Sequence, residues 1–324
     1  MTAARPIRIG TRASQLAMWQ ANRVRELLQG QPGAPPVELV PIRTEGDVRT
    51  EVPLWQVGGR AFFTREIDRA VLAGEVDLAV HSLKDLSTTL DSGLALAAVL
   101  EREDPRDALL ARSASSLREL PEGARVGTSS LRRRAFLARM RPDVTVLELR
   151  GNVPTRVERL ARGEFDAIIL AAAGLKRLGL ERHISACLPP GDFTPAVSQG
   201  AIAVVSRADE ASTRRRIECA DHFPTRIATL AERALLKRVE GGCQVPLGAL
   251  ATLEDQKLRL RTLVCSLDGT IAVAASGESS LPGHAEAAYR CAAELGERLG
   301  QELLAKGALR IIEQQRSPPA VQLP

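Results

Sequence analysis

Residues Ile7–Gly30, IRIGTRASQLAMWQANRVRELLQG, pass from a short apolar stretch directly into a segment whose apolar residues recur at helical spacing. Ser14 is of the helix N-cap type; Leu16, Trp19, Val24, Leu27 and Leu28 then share a face, and Gly30, Pro32 and Gly33 close the helix. A strand that feeds a helix is the building unit of a parallel sheet covered by helices. The junction recurs. VELVPIRT reads as a strand, FFTREIDRAVLAG as a helix closed by Gly74, VDLAVHSL as a buried strand and GLALAAVL as another.

The charged, proline-containing stretch EREDPRD, Glu101–Asp107, interrupts this alternation and reads as a hinge or linker. Beyond it ARVG leads into TSSLRRRAFLARM, VTVLELRG into NVPTRVERLARG, and FDAIILAAAG into LKRLGL. TPAVSQGAIAVVSR supplies one more strand, expected to return to the first unit. From Asp221 the character changes to an amphipathic helix (TRIATLAERALLKRVEGG), a hairpin turning at Asp268-Gly269 and a long helix (HAEAAYRCAAELGERLGQELLAKG). The expected organisation is an α/β domain from 1–100 and 200–218, a second α/β domain over 105–194, an α+β domain over 222–314 and an unstructured tail, 315–324.

A chain of 324 residues with 44% apolar content can bury several cores. MTAARPIRIG lacks the apolar core of an export signal, and no stretch is long and apolar enough to span a bilayer, so the expected compartment is the cytoplasm. The five cysteines, Cys187, Cys219, Cys243, Cys265 and Cys291, are scattered with no CxxC pair, and the four histidines lie far apart. No metal site is expected. A net charge of +5 asks for an anionic partner or a solubility explanation, between which composition does not choose, while 3% aromatic content argues against a single-stranded nucleic-acid platform, which needs stacking rings.

Cations stand at several strand-to-helix junctions: Arg12, Lys84, Arg132, Arg133, Arg150 and Arg156. If the strands are parallel, these positions share one sheet edge and line a cleft for anions, with Thr128, Ser129 and Ser130 adding hydroxyls and helix-N-terminal amides. Arginine suits carboxylates because its planar fork donates two parallel hydrogen bonds. The bland alternative for Arg132, Arg133 and Arg134 is a solvated helix face. Asp85 follows a buried strand beside Lys84, and reads either as a proton-handling acid or as a turn residue. His81 reads as a satisfied core histidine. Cys243, in EGGCQVPLG, is either a small buried hydrophobe or a thiol held on a stiff loop as nucleophile or covalent anchor.

Taken in order, RIGTRASQLAMWQ, VGGRAFF, VHSLKD, EREDPRDALL, VGTSSLRRR, ELRGNVPTR, DAIILAAAGLKRLGL, PAVSQGA and EGGCQVPLG resemble the porphobilinogen deaminase (hydroxymethylbilane synthase) family over nearly the whole chain except its tail. The resemblance implies two periplasmic-binding-protein-like α/β domains plus a small C-terminal α+β domain, in a metal-free, soluble monomer. It implies a thioether from Cys243 to a dipyrromethane cofactor built from two porphobilinogens. Asp85 becomes the catalytic acid, assisting ammonia loss and stabilising the cationic azafulvene and pyrrole species.

The resemblance further assigns cofactor contacts to Ser82, Lys84, Thr128, Ser129 and Ser130, and to Arg132, Arg133, Arg150, Gly151 and Asn152. Substrate contacts fall to Arg12, Ser14, Gln20, Arg60 and Phe63, and to Arg156, Arg177, Gln199 and Gly200. Each pyrrole carries an acetate and a propionate, so a bound hexapyrrole presents about a dozen carboxylates to be neutralised. Three positions depart from the family pattern: Gln56 stands where lysine is common, Ser87 where proline follows the acid motif, and Ser198 where a glycine is usual. Two other functions compete: a non-catalytic periplasmic-type anion-binding protein, which leaves Cys243 unexplained, and nucleic-acid binding through LRRRAFLARMR, which predicts steep salt dependence.

Overall fold

The computed structural model describes residues 5–48, 62–239 and 245–316. Chain order begins with β1 (Ile7–Thr11), α1 (Gln15–Gln29), β2 (Val37–Pro41), α2 (Glu45–Val48), α3 (Arg65–Leu72), β3 (Leu78–Ser82) and β4 (Leu94–Val99). The chain then crosses to a second lobe: β5 (Asp107–Ala111), β6 (Arg125–Gly127), α4 (Leu131–Met140), β7 (Thr145–Leu147), α5 (Val153–Ala161), β8 (Ala167–Ala171), α6 (Ala172–Arg177) and β9 (Ala186–Cys187). It returns through β10 (Ile202–Arg207) and α7 (Ala211–Ile217). A last module holds α8 (Phe223–Arg238), β11 (Leu247–Glu254), β12 (Lys257–Cys265), β13 (Ala272–Ser280), α9 (Ala285–Ala305) and α10 (Ala308–Arg316), the last of which takes in the first two residues expected in the tail.

The fold class is the one expected, α/β lobes with an α+β module, but the sheets are mixed rather than parallel. The first is ordered β2-β1-β3-β10-β4 and the second β7-β6-β8-β5-β9. β1, β2 and β3 run parallel, as do β6, β7 and β8. The antiparallel members are those next to a crossing: β10 against β3 and β4, and β5 against β8 and β9. The junction argument therefore survives, because the strands that feed the cation-bearing helices are the parallel ones.

Both faces of the first sheet are covered, which is why its strands read as continuous apolar runs. Ile9, Val24, Leu28, Leu78 and Val80 pack on one side; Ile67, Val71, Ala79, Leu83, Val99 and Val205 pack on the other. The buried stripe of α1 is Ala21, Val24 and Leu28 together with Gln20, not the wider face expected. Trp19 is 38% exposed and meets the second lobe instead, 5.6 Å from the Arg177 guanidinium.

In the last module the antiparallel sheet β11-β12-β13 carries α8 and α9 around Ile227, Leu235, Leu260, Leu295 and Leu299. Burial of each such side chain is worth about 1.5–3 kcal/mol. This module also grips the crossings. Glu232 of α8, fully buried, accepts from Arg102 Nη1 at 2.6 Å, from Ser198 N at 2.6 Å and from Ala251 N at 2.8 Å.

Candidate active site

β3 ends in a tight turn of 3-10 type over Leu83–Asp85. The two carbonyls that follow it are held from the last module: Arg233 Nη1 donates to Leu86 O at 3.1 Å and Nη2 donates to Ser87 O. Leu83 N donates to Ala201 O at 3.0 Å. Ser87, standing where proline was expected, also accepts from Thr89 N through its Oγ at 3.3 Å. Asp85 and Lys84 thus project from a fixed backbone.

An open hollow lies at this edge, lined by Arg12, Ser14, Gln20, Phe63, Thr64, His81, Ser82, Lys84 and Asp85 among others. Gln20 Nε2 and Ser82 Oγ are hydrogen-bonded at 2.9 Å, and Ser14 caps α1 through Ala17 N. His81 is buried and its Nε2 lies 3.0 Å from Asp68 Oδ1, so it has the partner that its core reading requires. Asp68 and Asp47 were missed from sequence, since nothing local in the chain marks an acid as the partner of a residue 13 or 35 positions away.

The Lys84 side chain is half-buried and reaches the second crossing, where Nζ donates to Gln199 Oε1 at 3.4 Å. Enclosure pushes its pKa down to about 8; Asp85 and Asp107 oppose the shift, and Arg133 and Arg132 add to it. Gln199 Nε2 donates to Pro105 O at 2.8 Å and Asp107 Oδ1 at 3.1 Å.

Asp107 is the main correction to the charged-linker reading. It opens β5, is fully buried, and binds both arginines of α4: Arg132 Nη1 donates to Oδ2 at 2.7 Å, and Arg133 Nε donates to Oδ1 at 2.9 Å. Burial works to raise the Asp107 carboxyl, but the two guanidiniums outweigh it and hold the group well below the usual carboxylate range. Arg132 and Arg133 are therefore no solvated face. Their remaining contacts are Arg132 Nη1 to Thr194 O and Arg133 Nη1 to Ile169 O. Arg132 Nε is buried with no partner among the described residues.

The hydroxyls at the β6–α4 junction are also committed locally. Thr128 Oγ1 accepts from Ser130 N at 3.2 Å, Ser129 Oγ donates to Leu149 O, and Ser130 Oγ accepts from Arg133 N at 3.4 Å as the cap of α4.

Arg156 and Arg177 are different. Arg156 Nε donates to Gly151 O at 2.7 Å and Arg177 Nη2 donates to Gly200 O at 2.6 Å, so the partners shown are carbonyls rather than carboxylates. Burial pushes both guanidiniums down to about 10. Neighbouring Arg133 and Arg150 add to the shift at Arg156, while Glu148 and Asp85 oppose it. Asp85 of the first lobe thus acts on a cation of the second. Arg150 is half-buried and likewise lowered by burial, with Glu148 opposing. Exposed Asn152 precedes α5, and Gly151, also exposed, supplies the carbonyl that holds Arg156.

Gly200 is a backbone requirement: its φ is +91°, and a Cβ there would collide with the Glu103 carbonyl. Cys243, Arg60 and Gln56 lie outside the described residues. Among the described residues, no group of three or more His, Cys, Asp or Glu could hold a metal ion, and no helix is long and apolar enough to cross a membrane.

A dipyrromethane brings two acetates and two propionates. Desolvated Arg156 and Arg177 bonded to carbonyls, a buried Arg132 Nε without a partner, and enclosed Lys84 form a donor set that fits such a group.

Comparison with known proteins agrees. A family model described as porphobilinogen deaminase, dipyromethane cofactor binding domain, matches residues 7–215, and one described as porphobilinogen deaminase, C-terminal domain, matches residues 226–305. Among solved structures, the periplasmic VFT2 domain of Bordetella pertussis BvgS is 15% identical, covering 66% of this chain and 86% of that one, with a TM-score of 0.39. A periplasmic substrate-binding protein of an ABC transporter from Coxiella burnetii is 14% identical, covering 70% and 94%, with a TM-score of 0.41. At this distance the structural likeness adds nothing to what the two sheets already show. The two matched segments together take in all three sheets and the cationic cleft, and the chain belongs to the porphobilinogen deaminase family.

Proposed function

We propose that this chain is a porphobilinogen deaminase, a hydroxymethylbilane synthase. It joins four porphobilinogens head to tail, releasing one ammonia per unit, and water frees the linear hydroxymethylbilane. The observation that carries this reading is Asp85 in a hollow lined by Arg12 and Lys84, with its charge acting on Arg156. A receptor for anions gains nothing from a carboxylate that, like Asp85, has no arginine hydrogen-bonded to it among the described residues, because its unmatched charge repels the ligand. A reaction that develops positive charge on a polyanionic substrate needs both signs at once.

Cys243, beyond the end of α8 in sequence, is the proposed thioether anchor. When bound, the dipyrromethane supplies the pyrrole carbon to which the first substrate is joined. Arg156 and Arg177, with Arg132 Nε and Lys84, hold its acetates and propionates. Arg12 and Ser14, together with Lys84, which lines the same hollow and serves both groups, receive the carboxylates of incoming porphobilinogen. Asp85 accepts a hydrogen bond from the substrate pyrrole N–H and balances the positive charge that grows as the amine leaves. Arg133 acts at one remove by fixing Asp107 and the crossings. A monomer working in the cytoplasm completes the reading.

Incubation of the purified protein with porphobilinogen tests this. One ammonia released per porphobilinogen consumed supports it; tight binding without ammonia release would favour the anion-binding alternative.

A further inference from the structure

Asp47 is paired with one edge of the Arg12 guanidinium. Arg12 Nε donates to Asp47 Oδ1 at 3.1 Å and Nη2 donates to the same oxygen at 2.5 Å. Asp47 Oδ2 accepts from Thr44 N at 3.1 Å and from Thr44 Oγ1 at 2.8 Å, which also caps the start of α2. The Phe63 ring covers the guanidinium, its centroid 4.4 Å from Arg12 Cζ. Both side chains of the pair are 22% exposed. Arg12 Nη1 makes no hydrogen bond with any described residue, and Arg12 lines the same hollow as Lys84 and Asp85.

A guanidinium offers two edges for bidentate bonding, Nε with Nη2 and Nη1 with Nη2. Asp47 occupies the first and leaves the second, so two carboxylates can be held together. Burial pushes the Asp47 carboxyl up, but Arg12 and Thr44 outweigh it and keep the group below its ordinary range, hence charged at neutral pH. Gripped on one edge and stacked on one face, Arg12 has already lost the rotamer freedom that binding would otherwise cost.

We infer that Asp47 is a positioning residue for substrate capture, holding Arg12 so that its second edge stands ready for a carboxylate of incoming porphobilinogen. The inference rests on the proposed function of the hollow. Because the Arg12–Asp47 pair is formally neutral, the subsite selects by geometry more than by net charge.

Asp47→Asn tests it, since the amide oxygen still serves Thr44 and α2. Steady-state kinetics of the cofactor-loaded enzyme should show KM for porphobilinogen raised about tenfold, the worth of one charge-assisted hydrogen bond, with kcat changed less than about twofold. Asp47→Glu should recover part of the loss. In ¹⁵N NMR spectra, the Arg12 Nε–H should exchange with water faster in Asp47→Asn than in the parent. An unchanged or lowered KM overturns the inference, as does a fall in kcat matching the rise in KM, or an unaltered exchange rate. A parent enzyme that consumes no porphobilinogen would instead refute the functional reading, and the exchange measurement would still decide whether Asp47 orders Arg12.

Discussion

Lys84 Nζ donates to Gln199 Oε1 at 3.4 Å, which links the turn carrying Asp85 to the second crossing between the lobes. Gln199 passes the connection to Asp107 on the first crossing at 3.1 Å, and Asp107 to Arg132 and Arg133 of the second lobe. A continuous polar chain therefore runs from the Lys84–Asp85 turn through both crossings.

Lys84 gives a pH dependence with a definite sign. With its pKa pushed down to about 8, the ammonium is lost as pH rises through that value, and its hydrogen bond to a substrate carboxylate goes with it. KM for porphobilinogen is expected to climb above about pH 8, and Lys84→Arg, which stays charged, to move the climb upward. Unfolding is not the cause: the folded pKa lies below the ordinary 10.5, so the unfolded chain binds more protons in between and this group's contribution to stability rises with pH there. Identical profiles for Lys84→Arg and the parent would remove Lys84 from substrate binding.

Asp85→Asn keeps the shape of the turn and deletes the negative charge. Turnover is expected to fall about 10³-fold while porphobilinogen affinity and thermal midpoint change little. Calorimetric binding beside a rate assay checks both, and a near-parental rate would take Asp85 out of the chemistry.

Arg233→Met removes the donors that hold the Leu86 and Ser87 carbonyls while keeping much of the side-chain packing. A small displacement of the reacting acid is costly, so kcat should drop about tenfold or more with KM nearly unchanged. Parental kcat would mean that β3 alone positions the turn.

Ser198 shows why a sequence departure can be strain. It sits at φ 61°, fully buried, and its Oγ has no partner among the described residues. A left-handed conformation costs a non-glycine residue about 1 kcal/mol or more. Ser198→Gly, the residue usual in the family, is expected to stabilise the protein by about that amount, read as a higher urea midpoint. A lower midpoint would contradict the strain.

Much of the fold was legible because local chemistry determined it. Ser14 caps α1 as its type and position suggested, and the apolar runs of β3 and β8 became buried strands. What escaped was set by partners distant in sequence. Asp107 read as part of a linker, because only the folded chain brings it against Arg132 and Arg133. For the same reason Arg132 and Arg133, which locally resemble a solvated face, are buried, while Arg134 beside them is exposed. β10 and β5 carry no mark of direction in their residues; the crossings make them antiparallel. Of the candidate site, the sequence singled out the Lys84–Asp85 turn and the junction cations but not the side chains bonded to them, Asp47 and Arg233.

Intact-protein mass spectrometry of the purified chain probes the central claim, a thiol-tethered dipyrromethane on Cys243. The parent should exceed its sequence mass by two porphobilinogens less two ammonias, and Cys243→Ser should show no excess. A parent at its bare sequence mass after exposure to porphobilinogen, or an equal excess in Cys243→Ser, would contradict it.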